Sequence, residues 1–386
     1  MTRRPGLPIG RAAGAPVYLS WTWALVAAFV VLTFGPQIQR ALPHLGAGAY
    51  AVALGYAVLL ALSVLAHEIA HAVVGRAFGD RAEEIVLTLW GGHTQFRGPQ
   101  AGPWGTVATA MAGPLANLAV AGLAWLAALT LPTASVAGLL LDITVWANLL
   151  LAAFNALPGM PLDGGRLVES AVWASTGSRD RGLVAAGWSG RAIAVLLVGA
   201  ALAGPLLRGQ RSDLLMSLLL AWVGVILWRG AGASVERGRW GGRLAVLTLA
   251  SLEIPAVAVP AEGSVAHALR LADGGRRAAV AVDATGTPRG VLDLTAVVHR
   301  PADELERTPV SAACTALAPG AVVRRADLPA SGADLVARLG EPDLPVRVLT
   351  DARDGVASVL PRDTLLAAVH ATRHSTDDPS AKENRA

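Results

Sequence analysis

The sequence predicts a polytopic α-helical membrane protein of about six spans, with a membrane-associated β-hairpin region and a C-terminal soluble α/β domain. Three observations lead there. Hydrophobic residues make up 53% of the chain and charged residues only 16%, with a mean hydropathy of +0.50, a balance found in membrane proteins. Nearly all the long apolar runs fall before residue 230. From about 245 to 372 short aliphatic stretches alternate with Asp, Arg, Gly and Pro, as in a water-soluble domain. A membrane domain is therefore placed at 1–230, a linker at 231–250, a soluble unit at 251–372 and a polar, disordered tail at 373–386.

In chain order, a basic arm with Arg3, Arg4 and Arg11 precedes a first span at Val17–Phe34, and a second runs from Tyr50 to Phe78. The segment Ile85–Phe96 reads as two short extended pieces around Gly91-Gly92, a hairpin or re-entrant strand whose edge could hold an extended peptide. Spans three and four are Trp104–Leu131 and Val136–Leu157. Small residues at Ala112–Ala116 in the third allow close helix contact, and Asn117 can bond across helices. A short helix at Leu167–Ala174 follows. Spans five and six are Gly182–Leu207, interrupted near its start by Arg191, and Leu214–Trp228. Arginines crowd the segments that this topology puts inside, from Arg3 to Arg243, against Arg40, Arg208 and Arg211 outside. The positive-inside rule then makes both termini cytoplasmic, in a bacterial plasma membrane. No cleavable signal peptide is expected, because the first apolar run lacks a small-x-small cleavage site.

The net charge of +4 is almost wholly arginine, since Lys382 is the only lysine, and the arginines flank apolar segments. That pattern anchors topology and argues against nucleic-acid binding. The single cysteine, Cys314, excludes an internal disulfide and a Cys-rich metal site, so any metal ligands are His, Asp or Glu.

Chemistry concentrates in two stretches. His67-Glu68-Ile69-Ala70-His71 has the H-E-x-x-H form, in which two histidines four residues apart share a helix face and can grip one zinc ion. It lies within the second span, where such residues are costly without a task. The other stretch is Asn155–Arg166, where Pro158, Pro161 and three glycines force irregular backbone at the end of an apolar span and present Asp163 on a tight loop. Taken alone, Asp163 could equally cap the helix that follows. His93 reads as a surface histidine in a turn or as an active-site group.

The soluble part repeats a strand, helix, hairpin and helix pattern, first around Val257–Leu294 and more faintly around Leu335–His370. Together these residues resemble the site-2 protease family of intramembrane zinc metalloproteases, in the bacterial branch that carries a C-terminal pair of CBS domains, here 251–305 and 318–372. The resemblance implies one zinc per chain, held by His67, His71 and Asp163, with Glu68 as general base. It also implies that Asn155 binds substrate or supports the oxyanion and that Gly91 and Gly92 lie in the substrate-facing strand region; Pro158, Pro161 and His93 are further candidates near the substrate. The substrate would be a single-span membrane protein, such as a clipped anti-sigma factor, cut within the bilayer in regulated intramembrane proteolysis. CBS domains commonly hold an adenine nucleotide through Thr or Ser and an Asp after the hairpin glycine. Here Gly290 is followed by Asp293 and Ala296, and Gly355 by Ser358 and Pro361, so the pair reads first as a dimerising or gating module. The alternatives are a CBS-regulated membrane transporter, which should show broken helices in both halves, and a catalytically inactive relative that binds membrane proteins.

Overall fold

The computed structural model describes residues 6–97, 102–132, 135–207, 214–340 and 344–374, and divides the chain into two units at Gly238/Arg239. The first unit is built from β1 (Leu7–Ala12), β2 (Ala15–Leu19), α1 (Trp23–Ala41), α2 (Gly48–Ala77), β3 (Arg81–Thr88), β4 (Gly91–Arg97), α3 (Pro103–Ala128), α4 (Val136–Asn155), α5 (Asp163–Thr176), α6 (Arg179–Leu207) and α7 (Leu214–Leu244). Among the described residues six of these helices, all but α5, are long and apolar enough to cross a membrane. At 1.5 Å per residue the 30-residue α2 is ~45 Å long, more than the ~30 Å hydrocarbon core, so its ends project or it tilts.

The start of the chain departs from expectation. Val17–Leu19 is not helical: it forms β2, pairs with β1, and runs parallel to β3 in the register Val17↔Ile85 and Leu19↔Leu87. Pro16 and the alternating Val17-Tyr18-Leu19 suit an extended strand, and the first span begins only at Trp23. The result is a four-stranded sheet, β1-β2-β3-β4, with β4 at its edge. Ile85, Val86 and Leu87 are fully buried. Ile85 packs with Val17 and Ala72, and Leu87 with Trp23 and Val64, which fixes the sheet against α2.

Between the helices, polar contacts replace part of the missing hydrophobic driving force. Asn148 on α4 donates to Ser63 on α2 at 2.8 Å and to the Thr144 carbonyl. Asn117, expected to bond across helices, is fully buried with neither amide atom partnered among the described residues. Glu169 on α5, 2% exposed, pairs with Arg179 at 2.7 Å and ties α5 to α6. The Arg191 guanidinium lies over Trp188 and Trp228, 4.8 and 5.0 Å from the ring centroids. These cation–π contacts let α6 continue unbroken through a charge that the sequence reads as an interruption. The sixth spanning helix, α7, likewise runs on past Trp228 to Leu244, through much of the expected linker at 231–250.

The second unit contains α8 (Leu249–Leu252), β5 (Ile254–Pro260), α9 (Val265–Leu271), β6 (Ala278–Val282), β7 (Pro288–Leu292), α10 (Leu294–Val297), α11 (Ala302–Arg307), β8 (Cys314–Ala316), β9 (Val322–Arg324), α12 (Gly332–Gly340), β10 (Val346–Thr350), β11 (Val356–Pro361) and α13 (Arg362–His374). Its seven-stranded sheet, ordered β8-β7-β6-β5-β11-β10-β9, is symmetric in pattern. β5 and β9 run parallel to the first strands of their hairpins, while β11 pairs with Ile254 and Pro255 and β7 with β8, so each half lends a strand to the other. Val280, Val348 and Val359 form the shared centre. The predicted tail lies outside the described residues from 375 onward. Leu349 is 0% exposed in one of the two flanking cores, so Leu349→Ala should cost about 2–5 kcal/mol. Leu294→Ala, at an exposed side chain, should shift stability by under about 0.5 kcal/mol; chemical unfolding followed by circular dichroism compares the two.

Candidate metal centre

His67 and His71, one turn apart on α2, are 6% and 7% exposed and present their Nε2 atoms to one point, 3.0 Å from each other. At 1.5 Å per residue His67 lies ~15 Å from the Ala77 end of α2. Asp163, the first residue of α5, brings its Oδ2 to 3.0 Å from His67 Nε2 and 3.2 Å from His71 Nε2. A helix N-terminus is a favourable seat for a carboxylate. Two glycines allow the approach to α4 and the loop: a Cβ on Gly164 would strike the carbonyls of Ala156 and Leu157, and one on Gly165 the backbone of Gly159 and Met160. The loop itself is held by Met160 N–H donating to the Ala186 carbonyl at 3.0 Å, and by Ser189 donating to the Pro158 carbonyl.

The three donors suit zinc. Bonds of about 2.0–2.1 Å at tetrahedral angles separate ligand atoms by roughly 3.3 Å, close to the observed spacing, and two imidazoles with one carboxylate leave a fourth position open. Among the described residues no other cluster of three His, Cys, Asp or Glu donors meets this spacing. Support from surrounding groups fits as well. His71 Nδ1–H donates to the Thr109 carbonyl on α3 at 2.6 Å, which leaves Nε2 as the lone-pair atom. Gly113, one turn further along α3, passes so close that a Cβ there would sit 2.5 Å from both histidine Nε2 atoms.

Glu68 lies beside the cluster, 5% exposed, on the side covered by the hairpin. Thr94 Oγ1 donates to Glu68 Oε2 at 2.9 Å. Gly92 backs the same side chain, and a Cβ at that position would collide with Glu68 Cγ. The sequence reads as two extended pieces around Gly91-Gly92; the turn is instead Leu89-Trp90, and Gly91 and Gly92 open β4. Because side chains alternate across a strand, His93, opposite Val86 and exposed, faces away from Glu68, so the fold does not bring it to the cluster. Trp90 at the turn rests on Trp222 of α7, with ring centroids 4.9 Å apart. Asn155, the last residue of α4, shares a cavity with Asp163. Pro158 and Pro161 shape the loop and offer no polar hydrogen to a substrate. Thr94, Thr109 and Gly113 escape a reading by sequence because each acts across a tertiary contact.

Comparison with known proteins points to one family. Residues 55–140 and 133–198 match the model of peptidase family M50. The membrane unit is thus similar, over residues 55–198, to peptidase family M50. The chain is 35% identical over 204 residues to the predicted zinc metalloprotease Rip3 of Mycobacterium tuberculosis, covering 52% of each protein. It is 32% identical over 252 residues to the predicted zinc metalloprotease sll0528 of Synechocystis sp., covering 64% of each. The matches thus span about half the length of Rip3 and less than two thirds of sll0528. Among solved structures, it is similar to a site-2 protease from Methanocaldococcus jannaschii at 23% identity and a TM-score of 0.41, covering 59% of this chain and 94% of that one. It is also similar to the CBS domain of a bacterial CNNM/CorC family Mg2+ transporter at 13% identity and a TM-score of 0.27, covering 38% and 94%. If the cluster holds zinc, Gly113→Ala should reduce bound metal at least tenfold, whereas Gly122→Ala, with open space around its Cβ, should leave it unchanged; elemental analysis of the purified proteins reads the difference.

Proposed function

We propose that this chain is an intramembrane zinc endopeptidase of the M50 type that cuts single-span membrane proteins. One observation carries the reading: the donors of His67, His71 and Asp163 converge within 3.2 Å beside a buried Glu68, with both histidines and the glutamate on α2, a helix long and apolar enough to span a membrane. Zinc, when bound by these three residues, supplies Lewis-acid polarisation of a water or a carbonyl oxygen.

The chain's own groups account for the remaining work. Thr94 occupies Glu68 Oε2, which leaves Oε1 to accept the proton of the attacking water as its oxygen bonds to the scissile carbonyl carbon. Glu68 then returns that proton to the amide nitrogen as the C–N bond breaks. The Asn155 amide can donate to the oxyanion that develops on the carbonyl oxygen. A peptide bond in a substrate helix is internally hydrogen-bonded, so the substrate must unwind, and the free edge of β4, which carries Gly92 and Thr94 against Glu68, can receive it as an added strand.

The arginine distribution supports cytoplasmic termini in a bacterial plasma membrane, with the cut in the cytoplasmic half of the substrate span. Within the second unit, Asp293 already accepts from Thr295 at 2.6 Å, and the buried Ser358 donates to Glu253 at 2.8 Å. With those positions engaged internally, the CBS pair fits a dimerising or gating role better than adenine-nucleotide binding.

In detergent or liposomes, Glu68→Gln should retain about one zinc per chain and lose cleavage of single-span substrates by at least a hundredfold. Loss of metal in that variant, or undiminished cleavage, would contradict the proposal. Gln95→Pro, on the edge strand, should lower cleavage while sparing zinc content; cleavage at the wild-type rate rules out strand addition.

A further inference from the structure

A cavity of about 290 Å³ opens beside Asp163, between α3, α4 and the start of α5. Its walls are aliphatic, including Ala110, Leu115, Ala152 and Leu167, while Asn155 and Asp163 supply its polar lining. The helices place it directly next to the donor cluster. On α3, Thr109 and Gly113 contact the histidines, and Ala110 and Pro114 follow each by one residue, about 100° further round the helix. On α5, Leu167 lies one turn from Asp163 on the same face. Alanine at the α4 wall positions 152 and 153 keeps the space open where a larger side chain would fill it.

We propose that this cavity receives the apolar side chain of the substrate residue flanking the scissile peptide bond, and so sets the cleavage position. The proposal rests on the endopeptidase reading above. Adjacent Cα atoms are 3.8 Å apart, so an extended peptide with its carbonyl at the His67–His71–Asp163 cluster must project a neighbouring side chain within reach of a cavity that Asp163 itself lines. The Asn155 and Asp163 lining favours a peptide over a lipid chain, because a peptide brings backbone N–H groups to those acceptors. An apolar cavity of ~150 Å³ already holds a benzene ring, so leucine, methionine and phenylalanine all fit. A charged side chain would lose hydration to aliphatic walls without gaining a cationic partner there. In an apolar pocket, one missing methylene lowers kcat/KM by about 10-fold or more.

The test uses the full-length, zinc-loaded protein and a library of single-span peptides of about 20 apolar residues with one position varied around the cut, products being read by mass spectrometry. Wild type should cut next to Leu, Met or Phe at least tenfold faster than next to Gly or Asp at one defined side of the bond. Ala153→Phe, which fills the cavity, should lower that Leu-to-Gly ratio at least tenfold with zinc content unchanged. A ratio that Ala153→Phe leaves at the wild-type value overturns the proposal. A second readout needs no turnover: in the Glu68→Gln form, a photo-methionine placed in the peptide next to the scissile bond should crosslink to α3 or α4 at the cavity wall. Crosslinks elsewhere, or crosslinking that Ala153→Phe leaves undiminished, overturn it as well. Absence of all wild-type cleavage sinks the endopeptidase reading instead, and the crosslink then decides the cavity by itself.

Discussion

His67 and His71 on α2 and Asp163 on α5 are separated by 96 and 92 residues, yet their three donor atoms meet within 3.2 Å in the interior of the membrane unit. Much of the first unit serves that meeting. Imidazole and carboxylate groups are expensive to take out of water unless each finds a partner, so the cluster is stable only if three separate supports hold. α2 sets the two histidines one turn apart. The Ala156–Leu162 loop, bonded to α6, aims Asp163 from the start of α5. α3 closes the third side with the Thr109 carbonyl and the bare backbone of Gly113.

The sheet adds what a metal site alone lacks. It clamps α2 through Ile85 and Leu87 and brings Thr94 and Gly92 against Glu68, so one element both braces the helix and orients the base. Its outer strand leaves backbone groups unpaired next to that base, an arrangement suited to holding an extended chain. The acid–base group and the free strand edge are therefore coupled by geometry: a shift of β4 would disturb both.

How far the fold and the site are legible in the sequence depends on the range of the interactions. Local patterns survive well. H-E-x-x-H fixes its own geometry through the helix period, and long apolar runs declare their spans. The Pro and Gly of the Asn155–Arg166 stretch likewise announce irregular backbone. Long-range pairing is less visible. Val17–Leu19 is as apolar as the span it adjoins, and only its partner strand at Ile85–Leu87 makes it β2. His93 and Thr94 are neighbours in sequence, and which one meets Glu68 is settled by strand register, where one residue changes the face. Arg191 looks like a break because its two tryptophan partners, Trp188 and Trp228, come together only when α6 packs on α7.

The central claim is that His67, His71 and Asp163 together hold one zinc ion within the membrane unit. X-ray absorption at the zinc edge of the purified, metal-loaded protein tests it most directly. The account predicts nitrogen and oxygen neighbours only, at about 2.0–2.1 Å, with the scattering of two imidazoles, and loss of the site in Asp163→Ala. A sulfur neighbour at about 2.3 Å, or a spectrum unchanged by Asp163→Ala, would contradict it.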